Sequence, residues 1–267
     1  MPHINQAERA SRAWPILTAV AAQKHVISYS DLGRQLGIHH RAIRFVLSLI
    51  QDYCLEAGLP PLTILVVNGS GRPGNGFIAY DLNNLNKGNE LVWSHAWNAE
   101  ENPFSFASRG DSYESLLKIL TSTPGESEQV YRSVSSRGIR QYLFREALLR
   151  AYSNKCAITG FSIPEALEAC HIIPWAQASE QQRMDVRNGL LLNSLHHKLF
   201  DRGYLTITTD YKIVFRRTED QKHEFTALER SLTSELHGKQ MNIPRLHKHR
   251  PCQEYIDFHH QLFEWET

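Results

Sequence analysis

The stretch CAITGFSIPEALEACHIIPWAQASEQQRMDVRNGLLLNSLHHKLFDRG, from Cys156 to Gly203, contains three polar side chains in an informative order. His171 precedes Ile-Ile-Pro, Asn188 precedes a glycine and an apolar run, and His197 is the second member of a histidine doublet. A one-metal site for phosphodiester hydrolysis needs one imidazole that takes a proton from water and another that binds a divalent cation. It also needs an amide that holds the loop of the first imidazole. The order His171, Asn188, His197 indicates such a site.

Around these residues the chain resembles the HNH endonuclease family, whose ββα-metal fold places two short strands, a loop and a helix around one cation. The matching pieces are EACHIIPW (Glu168–Trp175), RNGLLL (Arg187–Leu192) and LHHKLFDRG (Leu195–Gly203). The preceding FREALLRAYSNKCAITG (Phe144–Gly160) is similar to the lead-in of one branch, found in restriction and anti-phage proteins. The resemblance covers roughly residues 130–215. It implies a metal-dependent DNA endonuclease that serves restriction or phage defence.

The family's pattern implies a role for each polar residue of this stretch. His171 is the expected general base, Asn188 orients its loop, and His197 is the first metal ligand. Asp201 follows four residues after His197, on the same helix face, and either joins the ion or bonds the following turn. His196 points about 100° away and is a secondary metal candidate. The expected ion is Mg²⁺ or Mn²⁺, with Ni²⁺ or Zn²⁺ as alternatives.

The residue before the base departs from the family's pattern. An aspartate ligand is common at this position in the superfamily, and here it is Cys170. A thiolate prefers softer metals, whereas a carboxylate suits magnesium or manganese. The departure leaves a second interpretation open, in which the fold has lost its activity and the protein is a DNA-binding regulator.

The segment 1–82 predicts a helix, a tight turn, a second helix and a β-hairpin, which is the outline of a winged-helix DNA-binding domain. The second helix is expected from about His39 to Ala57, and the hairpin strands are LTILVVN and FIAYDL. Such folds lay the second helix in a DNA groove, so Arg41 and Arg44 are candidate DNA contacts. A small helical domain with a hairpin and another role is the alternative.

The same segment is similar to the DNA-binding half of the alkylguanine alkyltransferases and the alkyltransferase-like proteins. The matching pieces are SYSDLGRQLG (Ser28–Gly37), RAIRFV (Arg41–Val46) and VVNGSGRPGNGF (Val66–Phe77). This resemblance implies that Arg44 intercalates where a base has been flipped. The reactive cysteine of the alkyltransferases is replaced here by Leu62–Leu65, so alkyl transfer is not expected. A nicking or repair nuclease directed to a lesion or modified base remains a further alternative.

Composition restricts how the chain can attract DNA. The formal net charge of the 267 residues is only +1, so attraction must come from local patches. Arg137, Arg140 and Arg145 form one such cluster, which either follows phosphates or is a solvated helix face. The four cysteines form no CxxC pair, and no run approaches the ~18 apolar residues of a membrane span. A cytoplasmic protein without a membrane segment is therefore expected.

The predicted fold class is α+β, with three parts along the chain. Residues 1–82 form the winged-helix-like recognition domain, 83–129 the connecting segment, and 130–267 the nuclease domain. After the nuclease core, LTITTDYKIVF predicts a strand pair and CQEYIDFHHQLFEW a closing helix. The expected partners are double-stranded DNA and a second copy of the chain, because double-strand cleavage by one-metal sites usually needs two of them.

Overall fold

The computed structural model describes residues 5–216 and 225–265 as a helix-rich α+β structure. The described chain divides into two compact units. Unit 1 takes in the described residues up to Ser115 together with Ser133–Arg140, and unit 2 takes in Leu116–Arg132 and the described residues from Gln141 onward. Across both described stretches, no helix combines the length and apolar character needed to cross a membrane.

Unit 1 is mainly helical and contains one very short parallel sheet. Its helices are α1 (Gln6–Ala22), α2 (Tyr29–Leu36), α3 (Ile43–Glu56), α4 (Leu85–Ser94) and α5 (Ser105–Ser108), and α6 (Tyr113–Ser122) begins in it. Single 3₁₀ turns lie at His40–Ala42, Leu62–Leu65 and Trp97–Ala99. The strands β1 (Ile27–Ser28) and β2 (Val66–Val67) pair in parallel.

Helix α1 continues through a proline in its interior. Pro15 has no backbone N–H, so the carbonyl of Ser11 loses its usual helical partner. The side-chain amide of Asn102 donates to that carbonyl over 2.7 Å. With the carbonyl satisfied in this way, α1 keeps its apolar face, including Trp14 and Leu17, in the core of unit 1.

The hairpin expected from a winged helix is not formed, and that part of the prediction is wrong. Leu62–Leu65 is a buried 3₁₀ turn, and residues 77–82 contain no strand. The side chain of Gln51 on α3 hydrogen-bonds this backbone in place of a neighbouring strand. It accepts from Ile78 N at 3.1 Å and donates to Gly76 O at 3.3 Å. A short apolar run fits a strand or a buried turn equally well by its pattern. A winged-helix domain is therefore not confirmed.

The segment 83–129, expected as a connection, is folded. Trp97 is buried, and its indole N–H donates to Val92 O at 2.8 Å. Its ring meets that of Trp14 edge-on, with centroids 5.8 Å apart, in the core of unit 1. The first part of the segment belongs to unit 1 up to Ser115 and the rest to unit 2. Buried aromatic side chains thus anchor the first part of this segment in the core of unit 1.

The remaining elements build two antiparallel hairpins surrounded by helices. They are α7 (Ser127–Ser133), α8 (Arg137–Ala151), β3 (Leu167–His171), α9 (Glu180–Met184), β4 (Gly189–Asn193), α10 (Ser194–Asp201), β5 (Leu205–Ile207), β6 (Ile213–Phe215), α11 (Ala227–Leu232) and α12 (Gln253–Leu262). Strand β3 pairs with β4, and β5 pairs with β6. The strand pair and the closing helix expected after the nuclease core are confirmed.

The β3–β4 hairpin and α10 place the polar residues of the opening stretch. In the hairpin, His171 at the end of β3 lies opposite Gly189 at the start of β4. Strand β4 runs directly into α10, and the side chain of Asn193 caps that helix by accepting from His196 N at 3.0 Å. Just beyond α10, Gly203 adopts a φ of 67°, a left-handed conformation that favours glycine. Two strands and a helix of defined length therefore frame the site.

Candidate active site

His171 is held on three sides at the end of β3. Its ring stacks on Phe144 with centroids 4.0 Å apart, and Trp175 meets it edge-on at 5.5 Å. The ring atom Nε2 lies 3.0 Å from the carbonyl oxygen of Arg183. A carbonyl can only accept, so this partner assigns the proton of the neutral ring to Nε2. The lone pair is therefore on Nδ1, the atom that can take a proton from a reactant.

Burial lowers the pKa of His171 to about 4, although the hydrogen bond to the Arg183 carbonyl acts in the opposite direction. The imidazole is consequently neutral at neutral pH. A general base has to be unprotonated before it reacts, and His171 meets this requirement.

Asn188 has no exposed surface, and its side chain joins the two ends of the loop between β3 and β4. Its Oδ1 accepts from Ile173 N at 2.8 Å, and its Nδ2 donates to Gln182 O at 3.0 Å. Ile173 lies two residues after His171, and Gln182 directly precedes Arg183, whose carbonyl orients the imidazole. The amide therefore fixes both backbone segments that determine where His171 points.

Cys170, His197 and Asp201 bring one sulfur, one nitrogen and one oxygen within 4.8 Å of one another. His197 Nε2 lies 3.2 Å from Asp201 Oδ2, and Cys170 Sγ lies 3.5 Å from Asp201 Oδ1. An imidazole and a carboxylate four residues apart on α10 fit a divalent cation. Burial raises the pKa of the Cys170 thiol well above its usual value, so the thiol is a proton donor to Asp201 at neutral pH.

His196 does not join this group, which corrects its candidacy as a metal ligand. The side chain is fully buried, with Nδ1 2.9 Å from Asn193 Oδ1 and Nε2 2.8 Å from Leu232 O. Both nitrogens are thus engaged with oxygen atoms of the protein itself. The helical period directs neighbouring residues of α10 to different sides, which separates His196 from His197.

Glu168 was not expected at the site, yet it contacts His197 directly. Its Oε2 lies 2.5 Å from His197 Nδ1, and its Oε1 accepts from Ser194 Oγ at 2.5 Å. Burial acts to raise the pKa of Glu168, but the hydrogen bonds from Ser194 and His197 outweigh it and lower the pKa. Asp201, opposed by burial and assisted by Glu168, raises the pKa of His197. The only sequence signal was spacing: Glu168 and Cys170 are two apart on β3 and share one face.

A cavity of about 420 Å³ opens onto the site in unit 2. His171, His197 and Asp201 all line it, and Trp175 and Phe263 contribute aromatic walls. The proposed base and two of the expected metal ligands therefore face one common space.

The two arginines expected on the N-terminal segment line a second cavity, which lies within unit 1 and has a volume of about 850 Å³. Arg41 and Arg44 are exposed, whereas Thr63 in the wall is buried. The Thr63 hydroxyl has no hydrogen-bond partner among the described residues. Tyr29 OH accepts from Gly74 N at 3.2 Å, and a Cβ at Gly74 would lie only 2.7 Å from that hydroxyl. The cavity wall is thus closely fitted and includes an unsatisfied polar group.

Arg145, a predicted phosphate contact, also has a structural role. Its guanidinium donates to Pro164 O at 2.8 Å and to Leu167 O at 3.3 Å, and so fixes the start of β3. Arg137 is exposed and Arg140 half-buried in the first turn of α8, in the part of the helix that belongs to unit 1.

Two strands and a helix thus bring a neutral imidazole together with a cluster of side chains that could hold a metal ion. Residues 156–208 match the family described as HNH endonuclease, so the C-terminal half of the chain carries an HNH endonuclease domain. Among solved structures, the chain is similar to a modification-dependent TagI restriction endonuclease, with 21% identity and a TM-score of 0.28. The similarity covers 43% of this chain and 35% of that one, so this chain spans about a third of its length. No curated protein matches the chain.

Proposed function

We propose that the protein is a metal-dependent DNA endonuclease of the restriction or phage-defence type. The observation that carries the proposal is the convergence of neutral His171 with His197 and Asp201 on one cavity. The HNH domain match over residues 156–208 supports the same chemistry.

In this mechanism His171 Nδ1 accepts the proton of the attacking water, while its Nε2–H stays bonded to the Arg183 carbonyl. Asn188 keeps the loop in place, so that the base keeps its position in the wall of the cavity. His197 and Asp201 would hold a divalent cation, Mg²⁺ or Mn²⁺ with Ni²⁺ or Zn²⁺ as alternatives. When bound, the ion acts as a Lewis acid that stabilises charge on the scissile phosphate and the leaving oxygen.

Unit 1 is proposed to select the DNA through the surface around Arg41 and Arg44. Both guanidiniums are exposed beside a cavity, and exposed cations attract the phosphate backbone. The unsatisfied hydroxyl of Thr63 in that cavity favours recognition of an additional chemical group. This observation supports the second candidate function, a nuclease directed to a lesion or a modified base. Arg137 and Arg140 remain proposed contacts to the backbone.

A cleavage assay tests the proposal on unmodified, methylated and hydroxymethylated plasmid DNA, with each of the four metals in turn. Cleavage is expected with at least one metal, and His171→Ala is expected to abolish it while DNA binding stays near the wild-type level. Cleavage retained in His171→Ala would contradict the mechanism. Binding without cleavage under every condition would favour the DNA-binding regulator, the reading to which Cys170 points.

A homodimer is proposed because one site of this kind cuts one strand. Sedimentation of the protein, free and on DNA, is expected to show two copies on the cleavable complex. A monomer in both states would contradict the dimer and leave the site chemistry unaffected.

A further inference from the structure

Glu168 faces α10 because of the register between β3 and β4. It lies opposite Leu192, and β4 leads directly into α10 two residues later. The carboxylate therefore meets the first turn of α10, where Ser194 and His197 lie three residues apart on one face. Each carboxylate oxygen has its own partner: Oε1 accepts from Ser194 Oγ at 2.5 Å, and Oε2 lies 2.5 Å from His197 Nδ1. Two contacts at two oxygens fix the orientation of the carboxylate and of the ring.

The contact with Glu168 also determines which nitrogen of His197 is available to an ion. An ionised carboxylate can only accept, so it keeps a proton on Nδ1. The lone pair of the neutral ring must then be on Nε2, the nitrogen that lies 3.2 Å from Asp201 Oδ2. Without this partner, the ring could rotate or exchange tautomers, and its lone pair would point away from Asp201 for part of the time.

We propose that Glu168 is the positioning residue of the metal site, holding His197 in the tautomer and orientation that bind the ion together with Asp201. It acts through His197 and is not itself a ligand, since both of its oxygens are engaged by Ser194 and His197. Partners of this kind orient metal-bound histidines, and their loss typically weakens metal affinity by about 10–100-fold. This inference rests on the proposed metal-dependent function.

The test is calorimetric titration of Mn²⁺ into the full-length protein without DNA. Glu168→Ala is expected to raise the Mn²⁺ dissociation constant by about 10–100-fold. Glu168→Gln is expected to restore much of the affinity, because its amide oxygen can still accept from His197 Nδ1–H while its NH₂ group faces the Ser194 hydroxyl. Glu165→Ala is the matched control: it removes the same charge from an exposed position three residues earlier, and its dissociation constant should equal that of the wild type.

Urea unfolding of each variant separates positioning from stability. If Glu168→Ala does not fold, Ser194→Ala is tested in its place. This variant removes the hydrogen bond to one oxygen of Glu168 and should also weaken Mn²⁺ binding. Wild-type affinity in the folded Glu168→Ala protein, or in folded Ser194→Ala where Glu168→Ala fails to fold, would overturn the proposal. Wild-type protein that binds no Mn²⁺, Mg²⁺, Ni²⁺ or Zn²⁺ would instead overturn the metal site of the proposed function. The two failures are therefore distinguishable.

Discussion

His171 and His197 are imidazoles of one site whose pKa values are displaced in opposite directions. Burial against Phe144 lowers the pKa of His171 to about 4, whereas the carboxylates of Asp201 and Glu168 raise the pKa of His197. Near neutral pH the His171 ring is therefore neutral, with its single proton on Nε2, whereas the raised pKa of His197 favours the doubly protonated ring in the absence of an ion. The environments of two identical side chains thus assign them different tasks.

The raised pKa of His197 predicts that ion binding strengthens as the pH rises. The ion competes with the proton on Nε2, so the Mn²⁺ dissociation constant should fall as the pH passes upward through the raised pKa. Titrations between pH 6 and 8.5 would measure this, at about tenfold per pH unit below that pKa for a single proton. Asp201→Asn removes the largest cause of the shift and should move the dependence to lower pH. A dissociation constant independent of pH would contradict the prediction.

For single residues, the sequence predicts a functional role when the residue belongs to a motif. It does not predict a role that depends only on contacts made in the folded protein. His171, Asn188, His197 and Asp201 are recognisable because their order and spacing match a family. The roles of Glu168 and Arg145 depend on which backbone or side-chain atoms the fold brings to them. The charge of Arg145 predicted a phosphate contact, and only the fold reveals that its guanidinium also holds the start of β3.

Helix α10 is the element on which the site depends, since it carries both proposed metal ligands, His197 and Asp201. Asn193 caps its beginning, and Gly203 allows the turn that follows its end. The resemblance to the HNH family implied this helix, and the alternation of apolar residues in LTITTDYKIVF predicted the β5–β6 pair. The expected hairpin of unit 1 is absent. The side chain of Gln51 hydrogen-bonds the backbone of Gly76 and Ile78, which a neighbouring strand would otherwise do.

Gly203→Ala is predicted to destabilise unit 2 more than the same change at Gly238. Both glycines have positive φ, so each alanine costs about 1 kcal/mol or more in backbone strain. At Gly203 the new Cβ would also overlap the Phe263 ring, whereas nothing lies within 4 Å at Gly238. Urea unfolding should show an additional loss of about 1–3 kcal/mol for Gly203→Ala, the usual cost of overpacking. Equal losses in the two variants would show that the contact with Phe263 relaxes freely.

For the molecule as a whole, neutral buried imidazoles link stability to pH. His259 on α12 stacks on Phe200 at 3.9 Å, accepts from the Thr206 hydroxyl at 3.0 Å, and donates to Phe200 O at 3.3 Å. Burial lowers its pKa to about 4, as it does for His171. A proton on either ring would place a charge in poorly solvated surroundings, which Asp201 offsets only in part.

The protein is therefore predicted to lose stability as the pH falls from 6.5 towards 4. The folded-state pKa values of His171 and His259 lie below the unfolded value of about 6.5, so their contribution is complete above that pH and declines below it. A displacement of about 2.5 pH units corresponds to roughly 3 kcal/mol for each group. Urea unfolding at pH 7 and pH 4.5 would measure the decline. His259→Asn, whose side chain stays neutral, should lose less unfolding free energy over the same pH range. An unchanged loss would contradict the role given to His259.

Asn188 joins the two ends of the loop between β3 and β4, so a change at the tip of the loop need not disturb the base of the loop. Backbone at Ile173 and Gln182 is held by the amide, whereas Ala176 and Gln177, farther out, are exposed. A loop fastened at its neck tolerates insertions at its tip, because lengthening a loop adds little entropic cost. New substrate contacts could therefore be acquired by growth of this tip while the general base stays where it is. Related proteins with this site can therefore differ in the substrate that they recognise and keep the same catalytic residues.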